Sequence, residues 1–186
     1  HAAKKAVSGL NPGDAAVVIG IGGLGHIGLQ CLDEMSAADL VAVDIKESAR
    51  QLADDLGAHY TIDPRSEDVA DVVADITDGV GAAQVLDFVG ADETTALAPD
   101  ICAAGGDHHI IGYGGHIHEP AQALVNGEFA YQGNIVGRYT ELQELVALVE
   151  RDAVDLHTTR YDLDAVNEVA EKLEHGEIDG RAVITP

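Results

Sequence analysis

At 186 residues, 46% of them apolar, the chain can bury one sizeable core, and it carries no short repeat or low-complexity segment. Aromatic residues make up only 4% and tryptophan is absent, so that core must be built from Val, Ile, Leu and Ala. Thirty-three acidic side chains against ten basic ones give a formal charge of −23, which excludes a basic stripe able to neutralise nucleic-acid phosphates.

The opening residues to about Gly9 read as the end of a helix, stopped by the turn Asn11-Pro12-Gly13-Asp14. Strand and helix patterns then alternate. An apolar strand over 15–19 runs into Gly20-Ile21-Gly22-Gly23-Leu24-Gly25, a G-x-G-x-x-G turn, and a helix follows over 24–35. A second strand over 40–43 is closed by Asp44. Nineteen positions separate Gly25 from Asp44, close to the ~20 that part a dinucleotide-binding turn from its ribose-binding acid.

Each part of that pattern has a physical task. Gly20 permits the tight turn, Gly22 lets a diphosphate approach the backbone, and Gly25 lets the next helix pack close to its strand. The diphosphate rests on the unpaired N–H groups and positive dipole end of that helix. A carboxylate at position 44 accepts both ribose hydroxyls and repels a 2′-phosphate, making NAD the first choice and NADP the second. A methyltransferase-type α/β fold shares the glycine loop, but it usually carries an acid just before the glycines, where this chain has Val18 and Ile19.

Further along, a helix over 47–56 is capped by Gly57, and a short strand over 59–62 is halted near Pro64. The second half repeats the rhythm: a helix over 66–76, a strand over 83–88 and a helix over 93–103 with Pro99 inside it. Gly105-Gly106 turns the chain into a strand over 107–111, and a sixth strand lies near 134–136. Beyond Gly137 come a helix over 140–151, a short strand near Tyr161 and a helix over 163–175 ending at Gly176. This order predicts a Rossmann-type α/β fold. Its doubly wound sheet has six parallel strands with helices on both faces, and the cofactor lies across the strand ends where the strand order reverses.

Several phrases then occur in order. They are Gly20–Gly25 continued by His26-Ile27-Gly28, Val43-Asp44-Ile45, Leu56-Gly57-Ala58, Asp87-Phe88-Val89-Gly90, Gly112-Tyr113-Gly114, Glu141-Leu142-Gln143-Glu144-Leu145-Val146 and Gly180-Arg181-Ala182-Val183-Ile184. Together they resemble the medium-chain, zinc-dependent alcohol dehydrogenases, most of all the archaeal branch, over essentially the whole chain. The resemblance implies residues 1–10 as an interdomain connecting helix and 11–137 as the NAD(P)-binding domain. Residues 138–186 become a segment returning toward an N-terminal catalytic zinc domain, so a portion of a longer enzyme is expected, with zinc bound only in that other domain.

The same resemblance assigns cofactor contacts and no catalytic residue or metal ligand. Backbone groups at Gly23 and Leu24, helped by Arg181, would hold the diphosphate. Asp44 would bind the adenosine ribose, while Ile45, Pro64 and Val89 would sandwich the adenine. Backbone groups of Ile111, Asn134 and Val136 would fix the nicotinamide carboxamide. The implied substrates are a dinucleotide and a small alcohol, aldehyde or ketone, and a homo-oligomer is expected. Many relatives place a Lys or Arg five residues after the acid, where this chain has Ala49 followed by Arg50. Two alternatives stay open: a free-standing NAD-binding redox-sensing module, and a zinc-free, NADPH-dependent quinone reductase-like member of the superfamily.

The remaining reactive residues read more blandly. Cys31 and Cys102 lack metal or disulfide spacing and read as small hydrophobes. His116-x-His118 offers two imidazoles without a cysteine partner and reads as a solvated loop, while His108 and His109 should face opposite sides of a strand. No apolar run approaches the ~20 residues of a membrane span, so no membrane role and a cytoplasmic location are expected. The acidic, lysine-poor composition points to a salty cytoplasm, where a short Debye length relieves self-repulsion.

Overall fold

The computed structural model describes residues 1–186. Six strands, β1 (Ala15–Ile19), β2 (Asp39–Val43), β3 (Tyr60–Ile62), β4 (Ala82–Asp87), β5 (Cys102–Ile110) and β6 (Ala130–Gly133), form one parallel sheet in the order β3-β2-β1-β4-β5-β6. The chain builds outward from β1 to one edge, then returns to β1's other side and builds to the opposite edge. The reversal therefore lies between β1 and β4. Each central strand is apolar on both faces because helices cover both.

Alternation along β1 divides the core. Ala16 and Val18 join Leu29, Leu32, Leu40, Ala42 and Leu86 under the first three helices, α1 (Ala2–Val7), α2 (Gly25–Met35) and α3 (Glu47–Asp55). Val17 and Ile19 join Val41, Val43, Ile62, Val85 and Ile101 beneath α4 (Val69–Ile76), with two short helices, α5 (Asp92–Thr95) and α6 (Ala98–Ile101), next in the chain. Leu29, Leu32 and Leu40 are fully buried, and each contributes on the order of 2 kcal/mol by leaving water. The core is aliphatic, as the composition requires.

Helix ends follow local chemistry. Gly57, with φ of 98°, takes the left-handed turn after α3. The helix expected from residue 66 begins instead at Val69, because the Asp68 carboxylate accepts the N–H groups of Ala70 and Asp71 at 2.9 and 3.1 Å. The single helix expected over 93–103 is two pieces with a break at residues 96–97, and Pro99 lies in the first turn of α6, where its missing N–H costs nothing.

Strand β5 also starts earlier than expected. Ala82 faces Cys102 while Gln84 faces Asp107, so the extra residues between them bulge, with Gly105 at φ 80°. The sixth strand is Ala130–Gly133, not 134–136. The Asn134 N–H still reaches the Ile110 carbonyl at 2.9 Å, but Val136 adopts φ 40° and leads the chain out of the sheet. Pairing with β5 thus outweighs the β-branched look of Ile135 and Val136. Helix α7 (Ala121–Gly127) was not anticipated; it buries no residue and leaves no apolar period to read.

Residues 138–186 form α8 (Tyr139–Val149), α9 (Val166–Glu174) and a separate parallel pair, β7 (Thr158–Asp162) with β8 (Arg181–Thr185). Gln30 of α2 fastens this segment to the main sheet by a reciprocal pair of bonds. Its Nε2 donates to the Asp155 carbonyl at 3.0 Å, and its Oε1 accepts from the Asp155 N–H at 2.6 Å.

Two adjacent histidines of β5 are buried on opposite faces. His109 Nε2 lies 2.8 Å from Gln84 Oε1, and its Nδ1 lies 3.3 Å from the Asn134 amide, so the neutral ring is satisfied. His108 is satisfied less well, with Nε2 at 3.5 Å from Asp87 Oδ2 and neither ring nitrogen in a good hydrogen bond. Burial pushes His109 down to about 4. The folded protein therefore takes up that proton only near pH 4, whereas the unfolded chain does so near 6.5. Stability is full above about pH 6.5 and falls by on the order of 3 kcal/mol as pH drops to about 4. Denaturant titrations at pH 7.5 and 4.5 should show this loss, and His109→Gln should shrink it.

Candidate functional site

The turn after β1 is dictated by one close approach. Gly20 has φ of 86°, and any Cβ on Gly25 would collide with the Gly20 carbonyl oxygen. With no side chain at Gly25, α2 begins directly over the strand end. The N–H groups of Gly22, Gly23 and Leu24 have no backbone partner, and a Cβ at Gly22 would meet open space. These are free donors at the positive end of an eleven-residue helix.

Arg181 covers this turn. Gly180, with φ of 66°, starts β8 against the His157 carbonyl, and the Arg181 N–H donates to that oxygen at 2.9 Å. The arginine side chain then lies across Gly23, so that a Cβ there would be 2.7 Å from Arg181 Cδ. Its guanidinium makes no ion pair within the chain, leaving it free for an anion.

Asp44 stands at the end of β2, beside the turn. Its Oδ2 accepts the Ile21 N–H at 2.7 Å and its Oδ1 the Lys46 N–H at 2.8 Å. A carboxylate has about four lone-pair positions, so two remain for hydroxyl donors. Arg50 grips the Asp44 carbonyl at 2.8 Å and the Asp63 carboxylate at 3.1 Å, while Ala49 is buried in the core. The basic residue therefore positions the acid's backbone instead of facing the site.

The other residues expected from sequence fall along the same edge. Ile45, half-exposed, follows β2; Pro64 follows β3; and Val89, also half-exposed, follows β4. Ile111 follows β5, with its N–H already donated to the Asp87 carbonyl at 2.9 Å. The Asn134 N–H is likewise used, so both residues offer only carbonyl oxygens, while the N–H of exposed Val136 has no backbone partner. That set, two acceptors and one donor, suits a carboxamide.

Asp87, quoted from the sequence only within a family phrase, and Gln30 have no role of their own there, whereas His26 reads as a filler of the first helical turn. Asp87 is buried at the end of β4, where Oδ1 accepts the N–H groups of Val89 and Gly90 at 2.9 and 2.8 Å. Burial alone would raise its pKa, but those bonds and the His108 ring outweigh it and hold the carboxyl below its ordinary value. An acid three residues before a glycine at a strand end was the available signal. Gln30 left none. His26 fills the first turn of α2, fully buried, with Nδ1 2.8 Å from the Gly22 carbonyl, and burial lowers its pKa.

A cavity of about 480 Å³ lies at the opposite end of the sheet among Asp14, Asp39, Thr77 and the β5 bulge. It contains none of the expected cofactor residues, and open strand ends do not enclose volume. The unpartnered N–H donors lie at the other end.

The sequence profile of the zinc-binding dehydrogenases matches residues 23–151. The chain belongs to this family. Its relatives include an NAD-dependent alcohol dehydrogenase of Sulfurisphaera tokodaii, 31% identical over 95% of this chain and 52% of that protein. The crystal structure of the alcohol dehydrogenase from the archaeon Aeropyrum pernix superposes with a TM-score of 0.95 at 39% identity, covering 100% of this chain and 54% of that one. Acetophenone reductase from Geotrichum candidum NBRC 4597, solved in complex with NAD, gives 0.85 at 29% identity, covering 100% and 52%. The chain spans about half the length of the curated relatives it matches.

The family name raises the question of zinc. Cys31 and Cys102 sit on α2 and β5, burial pushes both thiols up, and neither joins a group of close metal donors. One trio of close donors exists, Asp92, His116 and His118, exposed and without sulfur. These residues do not fit a buried Cys/His zinc centre.

Two glycine substitutions separate packing from access. Gly25→Ala should destabilise the fold by about 2 kcal/mol or more, because its Cβ meets backbone that cannot move away. Gly22→Ala meets nothing and should change stability by less than about 0.5 kcal/mol. Thermal and denaturant unfolding of the two variants checks both.

Proposed function

We propose that this chain is the NAD-binding part of an alcohol dehydrogenase. The observation that carries the reading is the convergence, at one strand edge, of three free N–H groups, the unpaired Arg181 guanidinium and the Asp44 carboxylate. The diphosphate would lie on the N–H groups of Gly22, Gly23 and Leu24 under Arg181, where charge-assisted bonds contribute most. Asp44 would accept the ribose hydroxyls with its two free lone-pair positions. Gly20 and Gly25 would act by shaping the turn. Ile45, Pro64 and Val89 would line the adenine, and the Ile111 and Asn134 carbonyls with the Val136 N–H would orient the carboxamide. Bound there, the nicotinamide ring supplies the hydride acceptor for oxidation of an alcohol to an aldehyde or ketone. The chain's contribution is to hold that ring in one orientation, which is what makes transfer fast.

NAD is favoured over NADP by a specific arrangement. Arg50, a cation close to Asp44, is engaged by the Asp44 carbonyl and Asp63, and the Asp44 carboxylate repels a 2′-phosphate. A homo-oligomer is consistent with β6, whose outer edge is unpaired. No helix is long and apolar enough to cross a membrane, and we place the protein in the cytoplasm with no nucleic-acid partner.

NADH fluorescence titration of the 186-residue chain tests the reading. Binding should weaken about tenfold or more in Arg181→Gln and in Gly22→Ala, a loss of roughly 1.5–3 kcal/mol. Asp44→Asn should weaken NADH and narrow its advantage over NADPH. Saturable binding of neither dinucleotide would refute the assignment.

Salt adaptation belongs to the same reading. Asp87 alone of the 33 acidic residues is buried, so the negative charge lies at the surface and repels itself through solvent. Raising KCl from 0.1 to 2 M shortens the Debye length from ~10 Å to below ~3 Å. The melting temperature should rise by at least about 5 °C, equivalent to roughly 2 kcal/mol, by scanning calorimetry.

A further inference from the structure

Asp92 and the pair His116/His118 are far apart in sequence and adjacent in space. Asp92 opens α5, just after β4, and the histidines lie in the loop after β5. The two loops are pressed together by backbone. The Gly114 and Gly115 N–H groups donate to the Gly90 carbonyl at 3.0 and 2.7 Å, and Thr95 Oγ1 donates to the His116 carbonyl at 2.7 Å. Glycine is required at this crossing: a Cβ at Gly90 would strike the Gly112 carbonyl, and one at Gly115 would strike the Asp92 N–H.

This crossing gathers three metal-capable donors on fixed backbone. His116 Nδ1 is 3.2 Å from Asp92 Oδ1, His118 Nε2 is 4.0 Å from Asp92 Oδ2, and the three ligand atoms lie within 4.8 Å of one another. Donors around a tetrahedral zinc, each ~2.0–2.1 Å from the ion, are roughly 3.3 Å apart. One pair already has that separation, and rotation of two exposed imidazoles closes the others. Neither imidazole is committed to a core or to another partner.

We propose that Asp92, His116 and His118 form a surface site for a divalent transition-metal ion of zinc type. Two imidazoles and one carboxylate suit zinc better than magnesium or calcium, which favour all-oxygen shells. With three protein ligands, the fourth position belongs to water. The ion clips the loop after β5 to the start of α5, immediately beside Val89, Gly90 and Gly112 at the strand ends. This proposal is independent of dinucleotide binding.

The test is calorimetric titration of the chelator-treated chain with Zn²⁺ in 2 M KCl and excess Mg²⁺, which occupy the acidic surface. One Zn²⁺ per chain should bind, at least tenfold more tightly than to the His116→Ala/His118→Ala double variant. Asp92→Asn should weaken it at least threefold while leaving an oxygen to accept the His116 N–H. In NMR spectra, Zn²⁺ should shift ring signals of two histidines, and those signals should be missing from the double variant. All three positions are exposed, so the metal-free variants should melt within about 2 °C of the wild-type chain. Equal zinc affinity in the wild-type chain and the double variant would overturn the site. Wild-type affinity in Asp92→Asn would overturn the three-ligand arrangement.

Discussion

Everything at the strand ends depends on the contact between the Gly20 carbonyl and Gly25. A single methylene at position 25 would occupy the space of that oxygen, so α2 can begin over β1 only while the position is bare. The closeness sets the helix over the strand end, where the N–H groups of Gly22, Gly23 and Leu24 have no backbone partners. It also brings Ile21 beside β2, where the Asp44 carboxylate captures its N–H at 2.7 Å. The acid thus braces the turn with one lone pair of Oδ2 while presenting others to solvent. A turn that is sterically forced and electrostatically braced needs little reorganisation to receive an anion.

The same economy appears at the next strand end. Asp87 bonds two successive N–H groups after β4, and the loop so formed meets the loop from β5 by backbone contact at Gly90 and Gly112. Carboxylates at the ends of β2 and β4 therefore shape the loops on either side of β1. Arg50 does for Asp44 what the sheet cannot, tying its carbonyl to Asp63 across the gap to the edge strand. These are positioning roles, filled by charged groups that bond mostly to backbone.

Much of this was legible in the residues. β1 was read with its observed bounds, and the apolar segments that became β2, β3 and β4 were read to within a residue or so, because buried parallel strands are continuous aliphatic runs. The turn was legible because its glycines answer steric demands that other residues cannot meet. The second half was less so. Ala130-Tyr131-Gln132-Gly133 has no strand-like composition and becomes β6 only through its partner, while the β-branched Ile135 and Val136 end up exposed. The break at residues 96–97 and the bulge before Asp107 are likewise settled by neighbours. At the site, the Gln30–Asp155 bonds and the meeting of Asp92 with His116 join residues 125 and 24 positions apart, and no local pattern encodes them.

The guanidinium over the glycine turn comes from position 181, five residues before the last. All six strands of the main sheet are complete by Gly133, and none of their pairings involves β7 or β8. The glycine turn and its positive cover thus come from separate sheets, the cover being placed by the pairing of β8 with β7. Removing β8 alone would leave the pairings of the six-stranded sheet untouched while taking the cation away from the glycine turn.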